Sequence, residues 1–266
     1  MERSIRCRAW RHRFCRVIMV GLFLCLSFAQ TGGASAETAA EILRRVDESR
    51  ALRPQFAFEM ALTAYQSGEE IDRYTLAGYV RIEAEKAQTL LYFLDPPKVN
   101  GQKMLMRGDE IWMHFPKTKN VIKLSPIQIL LGEVANGDLL QIGFSSAYQC
   151  RFLSDGEAAD HWCLLLEARE NEGANYQKII LWVDKETALP VTGEFYARSG
   201  KLLKRVLYQD YQIVLGKLFA MKVTIHDGTQ PDRYTVMQYM RLVEKSLPVN
   251  YYRKEYLPRF TYVPLN

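Results

Sequence analysis

The stretch PPKVNGQKMLMRGDEIWMHFPKTKNVIKLSPIQILLGEVANGDLLQIGF, residues 96–144, decides how the rest of the chain is read. Met104-Leu105-Met106 and Ile111-Trp112-Met113-His114-Phe115 are apolar runs of strand length joined by the turn residues Gly108-Asp109, the pattern of a hairpin. After Lys123-Leu124 the pattern changes. Ser125-Pro126-Ile127-Gln128 supplies an N-cap serine, a proline at the first helical position and a glutamine three residues after the serine, which predicts a helix start. Ile127, Leu130, Leu131 and Val134 then follow at i, i+3, i+4 and i+7, and Asn136-Gly137 suits a helix C-terminus. Asp138 is placed to cap a second short turn carrying Leu139, Leu140 and Ile142. The stretch therefore reads as two strands followed by an apolar helical cover.

The first residues read as an address. Arg3, Arg6, Arg8, Arg11, Arg13 and Arg16 form a basic region, Val17 to Ala29 is a short apolar run, and Ala34-Ser35-Ala36 has the small-x-small pattern of a signal-peptidase site, so cleavage is expected after Ala36. Gln30-Thr31-Gly32-Gly33 ends the apolar run too early for a membrane anchor, and Cys25 lies inside that run with no small residue before it, which disfavours lipidation. The leader also accounts for the basicity. The chain has 35 Lys+Arg and 30 Asp+Glu; the leader holds six Arg and one Glu, leaving 29 of each. A mature chain without net charge or a basic stripe has no electrostatic basis for nucleic-acid binding. Residues 37–266 are long enough for one large β domain with a core or a cavity.

Outside the leader only Cys150 and Cys163 remain, flanking the turn signal Ser154-Asp155-Gly156-Glu157. In an oxidising compartment they are expected to pair across a hairpin, a bond worth about 3 kcal/mol for so short a loop. A redox role is disfavoured, since there is no C-x-x-C spacing.

Glu37 to Leu52 has the pattern of a helix, with Ala39, Ile42, Leu43 and Val46 on one face and Arg53-Pro54 as its stop. From Gln55 the period becomes two: Phe56, Phe58, Met60 and Leu62, then Tyr74, Leu76, Gly78, Val80 and Ile82. Leu90 to Leu94, which contains Leu91 and Phe93, has no polar face and reads as a strand covered on both sides. Further strands are expected at Tyr148 to Leu153, Trp162 to Ala168, Lys178 to Val183, Val191 to Ala197, Leu202 to Tyr208, Met221 to His226 and Tyr234 to Val243. Leu247-Pro248 and Tyr251 to Leu257 form an aromatic tail, a short helix or an edge cover. The fold expected is mainly β, a single curved antiparallel sheet.

No enzyme class emerges. G-x-S-x-G is absent, and His114, His161 and His226 are scattered without paired ligand spacing, so no metal or cofactor is expected. Gly193 to Lys201 is a turn between strands and not a phosphate loop, and Asp227-Gly228 with Asp232 lacks calcium-ligand spacing. What remains is apolar surface. A curved sheet fills its concave face with its own side chains or holds a guest there, and the residues leave both open. The methionines Met60, Met104, Met106 and Met113 suit an adaptable pocket.

Pro96-Pro97-Lys98-Val99-Asn100-Gly101, Ile111 to Pro116 and Asn136-Gly137-Asp138, with Leu181-Trp182-Val183-Asp184, Glu194-Phe195-Tyr196 and Ser199 to Lys204, resemble bacterial outer-membrane lipoprotein-sorting proteins of the LolA-like superfamily, in its broad, poorly characterised branch. The resemblance spans nearly all of Glu37 to Phe260. It implies an incomplete, half-open β-barrel whose concave apolar face is covered by short helices, a periplasmic location, and a non-enzymatic carrier that shields lipid or lipoprotein acyl chains. It also implies passage of cargo between an inner-membrane transporter and an outer-membrane acceptor, with the carrier expected to act as a monomer. The concave face is then assigned to Phe58, Met60, Leu62, Leu76, Val80, Leu91, Phe93, Met104, Met106, Ile111, Met113 and Phe115, with Ile127, Leu130, Leu131 and Val134 as the lid. A one-residue register error would exchange Met104 and Met106 for Leu105. Two rivals stand beside this reading. A non-carrier accessory or scaffold of an envelope transporter would have a filled interior, and an enzyme acting on lipid or glycan would have titratable side chains in its cleft.

Overall fold

The structure, a computed structural model, describes residues 37–83, 86–108, 110–139, 143–153, 159–170 and 174–265. The expected leader and cleavage site lie outside the described residues, as do Leu140, Ile142 and the turn expected between the two cysteines. Glu37–Asn266 forms one compact unit.

Helix α1 (Ala39–Arg50) begins at a capping box: Thr38 accepts from the Glu41 amide, and the Glu41 carboxylate accepts from the Thr38 amide at 2.7 Å. Its apolar stripe, Ala39, Ile42, Leu43 and Val46, is buried. The strands follow as β1 (Gln55–Gln66), β2 (Glu69–Glu83), β3 (Lys86–Asp95), β4 (Lys103–Arg107), β5 (Glu110–Phe115), β6 (Asn120–Leu124), the short pair β7 (Ile129–Leu131) and β8 (Val134–Ala135), and β9 (Tyr148–Phe152). Beyond these come β10 (His161–Ala168), β11 (Lys178–Asp184), β12 (Pro190–Tyr196), β13 (Leu202–Val214), β14 (Lys217–Asp227) and β15 (Arg233–Val243). Thirteen of them make one antiparallel sheet in the order β6-β5-β4-β3-β2-β1-β15-β14-β13-β12-β11-β10-β9. The first and last strands pair in its interior, and the sheet is curved and not closed into a barrel, as expected.

Strand alternation sorts the side chains onto two faces. The inner face joins residues from β1 to β5 and from β10 to β15 in a single core with the α1 stripe, a continuity that requires the sheet to curl around the helix. The outer face of the β1–β5 half carries Ala57, Tyr79, Leu90, Leu105 and Trp112 and is covered by the C-terminal tail. That tail forms two 3-10 turns, Val249–Tyr252 and Lys254–Arg259, and packs Tyr252, Leu257 and Phe260 on the sheet. Tyr79 Oη donates to Val263 O and accepts from the Val263 amide, Lys103 Nζ donates to Pro258 O at 2.9 Å, and Tyr262 donates to Glu59 at 2.7 Å. Leu90 on the outer face and Leu91 on the inner explain why β3 lacks a polar side.

The helix expected from Ser125 is a hairpin instead. Gly132 has φ +51°, in the left-handed region, at the first central position of the two-residue connection between β7 and β8, where a type II′ turn places glycine. A Cβ there would lie 2.2 Å from Thr235 Oγ1 and 2.8 Å from Ala64 Cβ, so the turn fits because it has no side chain. The amides of Asn136 and Gly137 donate to Gln128 O (2.9 Å) and Pro126 O (2.8 Å), bonds that join two extended segments and not successive helical turns. The four lid residues accordingly divide: Leu131 and Val134 are buried, Leu130 is half-buried and Ile127 is 63% exposed. Asp138 caps backwards, its Oδ2 accepting from the Ala135 amide at 2.8 Å, in a 3-10 turn over Asn136–Asp138.

The expected disulfide is also corrected. In the β9–β10 register Cys150 lies opposite Leu166, while Cys163 O accepts from the Leu153 amide. Positions 150 and 153 differ by an odd number, so the two thiols point to opposite faces of the sheet and are not bonded. Burial pushes the Cys150 thiol up to about 12, and its sulfur sits 3.5 Å from Ala39 O.

Two expectations follow from this packing. Phe58 lies directly opposite Gly78, and a Cβ on Gly78 would come 2.1 Å from Phe58 Cζ in a fully buried site. Gly78→Ala should therefore lower stability by about 1–3 kcal/mol, read as a shifted denaturant midpoint with unchanged slope. His114, buried opposite Lys103, has no hydrogen bond at Nδ1, and burial together with the Lys103 charge holds its pKa below the ordinary value. The unfolded chain thus binds the proton first. Stability is full above the ordinary histidine pKa of about 6.5 and falls as the pH drops through the lowered one, a trend that His114→Phe should flatten in chemical unfolding at pH 7.5 and pH 5.

Candidate functional site

The inner face is not filled evenly. In the β1–β5 half, Phe58, Met60, Leu62, Leu76, Val80, Leu91, Phe93, Met104, Met106, Ile111 and Met113 are buried against one another, with Phe115 partly buried at their edge. They share one face, and Met104 and Met106 point into this core while Leu105 points out.

The hollow lies in the other half of the sheet. A cleft of about 840 Å³, part of it open to solvent, runs between the C-terminal end of α1, the turn at Asp138-Leu139 and strands β12 to β15. Phe56 of β1, Phe195 of β12, Val206 of β13, Phe219, Val223 and Ile225 of β14, and Met237 of β15 supply its apolar wall. None of the sixteen side chains expected to form the cleft and lid lines it. In place of those residues the sheet contributes tyrosines: Tyr208, Tyr211 and Tyr239. Tyr239 packs edge-on against Phe58 (5.4 Å between centroids) and Phe219 (5.0 Å), which ties the cleft wall to the filled core. Burial raises all three phenols, Tyr239 to about 12, so they stay protonated donors.

A buried polar knot closes one end. Asp138 pairs with Lys204 of β13, both side chains nearly inaccessible, and also accepts from Tyr176 Oη at 2.7 Å and from the Ala135 amide. The Lys204 ammonium sits 4.5 Å from the Tyr176 ring centroid and 5.6 Å from that of Phe195. Burial pulls its pKa down and Asp138 pulls it back. The hairpin is fastened separately: the Glu133 amide donates to Thr235 Oγ1 at 2.8 Å, and Arg233 pairs with Glu133 at 3.2 Å. At the other end, Arg50 stacks its guanidinium 4.9 Å from the Phe144 ring centroid.

The lining of the cleft is mostly apolar and aromatic. Its charged lining groups are Asp138, whose oxygens are occupied by the protein, and Arg50. Among the described residues no group of three His, Cys, Asp or Glu is close enough to hold a metal. No described helix is long and apolar enough to cross a membrane.

The chain is similar to known proteins over most of its length. A family model described as an uncharacterized protein matches residues 85–259. No curated protein sequence matches. A LolA superfamily protein of Nitrosomonas europaea is 28% identical, covers 84% of this chain and 100% of its own, and superposes with a TM-score of 0.75. A DUF1329 family protein of Desulfovibrio piger gives a TM-score of 0.74 at 17% identity over 82% of this chain and 97% of that one. A domain of Vibrio parahaemolyticus assigned to outer membrane lipoprotein sorting gives 0.68 at 22% identity over 82% and 98%.

The Asp138–Lys204 pair makes a sharp prediction. Lys204→Met leaves Asp138 buried without its cation and should cost about 3–5 kcal/mol, whereas Lys204→Met with Asp138→Leu should recover part of the loss in a double-mutant cycle of unfolding free energies.

Proposed function

We propose a function for a chain that belongs to this uncharacterized protein family and to the LolA-like superfamily: a periplasmic carrier that shields the acyl chains of lipids or lipoproteins and delivers them toward the outer membrane. One observation carries the reading. A curved sheet with a filled core on one side keeps an apolar, solvent-connected cleft on the other, where an acyl chain can lie against Phe56, Phe195, Val223 and Met237. Each buried methylene contributes about 0.8 kcal/mol, so roughly ten of them contribute about 8 kcal/mol before ordering costs. That is enough to hold a cargo at about micromolar strength, and a donor at the inner membrane with an acceptor at the outer one gives the transfer its direction.

In this reading residues 1–36 export the chain and are removed after Ala36, residues 37–266 carry, and the carrier acts as a monomer without cofactor or catalysis. The assignment of Asp138 to a structural knot supports a binding role over a hydrolytic one. The aromatic tail, expected as a short helix or an edge cover, packs on the outer face of the sheet, which takes it away from docking to a transporter.

The test is native mass spectrometry of the protein isolated from the periplasm. Acyl-chain adducts are expected on the wild type and should be lost from Ala220→Trp, which fills the cleft, at a melting temperature close to wild type. A protein that carries no adduct under gentle isolation, or whose adducts survive Ala220→Trp, would sink the reading.

A further inference from the structure

The cleft contains a cation to which the fold gives a nearby charge but no acceptor: Asp47, one turn earlier in α1, acts on Arg50 electrostatically, while its own oxygens accept from the Phe144 and Ser145 amides at 2.8 Å. Asp138 is fully engaged within the protein, but Arg50 is not: its Nη1 is buried without a hydrogen-bond partner, and it makes no ion pair among the described residues. An arginine in a last helical turn ordinarily serves the free carbonyls there. Here that role is taken, since Lys217 Nζ donates to Glu48 O at 2.9 Å and to Ala51 O at 2.7 Å. Arg50 is left lining the cleft, its guanidinium carbon 4.9 Å from the centroid of the Phe144 ring.

Hydroxyl donors share the same space. Tyr211 Oη donates to Pro190 O, whereas Tyr208 and Tyr239 line the cleft with hydroxyls that make no hydrogen bond among the described residues. The Arg50 charge acts on all three phenols against the effect of burial, so the groups lie within electrostatic reach of one another. A buried guanidinium nitrogen with no acceptor is costly, and a planar guanidinium sharing a cleft with tyrosine hydroxyls suits the two oxygens of a carboxylate or phosphate.

We infer that the cleft selects an amphiphile with an anionic head, the carboxylate or phosphate accepting from Arg50 and the hydrocarbon tail lying along Phe56, Phe195, Val223 and Met237. The inference rests on the carrier reading of the same cleft and specifies the cargo's head. An uncharged amphiphile of equal length gains the tail burial and leaves the guanidinium unanswered, so the site discriminates by charge.

Titration calorimetry of the secreted protein with palmitate, with lysophosphatidylglycerol bearing a palmitoyl chain, and with hexadecanol tests this. At least one anion should bind about tenfold or more tighter than hexadecanol, and which one does identifies the head as carboxylate or phosphate. Arg50→Gln should abolish that advantage, read as the ratio of anion to hexadecanol affinity in the same variant, and Arg50→Lys should retain part of it. Equal binding of all three probes, or an advantage that survives Arg50→Gln, overturns the inference and leaves the carrier reading standing. Failure of all three to bind overturns both. Tyr239→Phe, which removes one hydroxyl and keeps the ring, gives an independent variant and should weaken the anion alone.

Discussion

One helix cannot cover one side of this sheet. Thirteen strands spaced about 4.8 Å apart make a surface roughly 58 Å across, whereas the twelve residues of α1 extend about 18 Å. The inner face is mostly apolar from β1 to β5 and from β10 to β15, so whatever the helix leaves uncovered there must be filled by side chains, covered by loops or left hollow. The architecture follows from how each half of the sheet meets that demand.

The β1–β5 half meets it with volume. Phe58, Met60, Phe93 and Met104 are large enough to meet across the curl, and Gly78 makes room for the Phe58 ring. The same strands are apolar on their outer face and need the C-terminal tail, whose aromatic residues and backbone carbonyls close over Tyr79, Lys103 and Trp112. No such tail packs on the β12–β15 half among the described residues. Its inward side chains include Tyr208, Phe219 and Val223, only partly buried, and the space before them is the cleft. Polar groups fix its boundaries without filling it. Asp138, Lys204 and Tyr176 hold the turn to β13, and Lys217 holds the end of α1 to the β13–β14 hairpin. A cavity framed by directional bonds keeps its shape when empty, because each bond fixes a distance that hydrophobic contact alone would let collapse.

Much of this was legible locally. The alternation in β1 to β5 placed twelve side chains on one face, because successive Cβ atoms in a strand point to opposite sides whatever lies far away. The periodic stripe of α1 was equally plain. The segment from Ile127 to Val134 was not, since a short apolar run fits either period; Gly132 resolves it only through its contact with Thr235 and Ala64, remote in sequence. The cysteine pair failed for a related reason: flanking a turn sets proximity, but the face each thiol takes depends on register.

Sequence alone therefore determined most of the strands of the large sheet, which face each side chain takes in its first half, and that the chain resembles LolA-like proteins. Tertiary structure decided where the face stays uncovered. That depends on the landing site of α1 and on the closing of the tail, both contacts between segments far apart in the chain. It depends too on whether Arg50 finds an acceptor within the protein, which no local pattern records because the competing donor, Lys217, arrives from the distant β13–β14 turn.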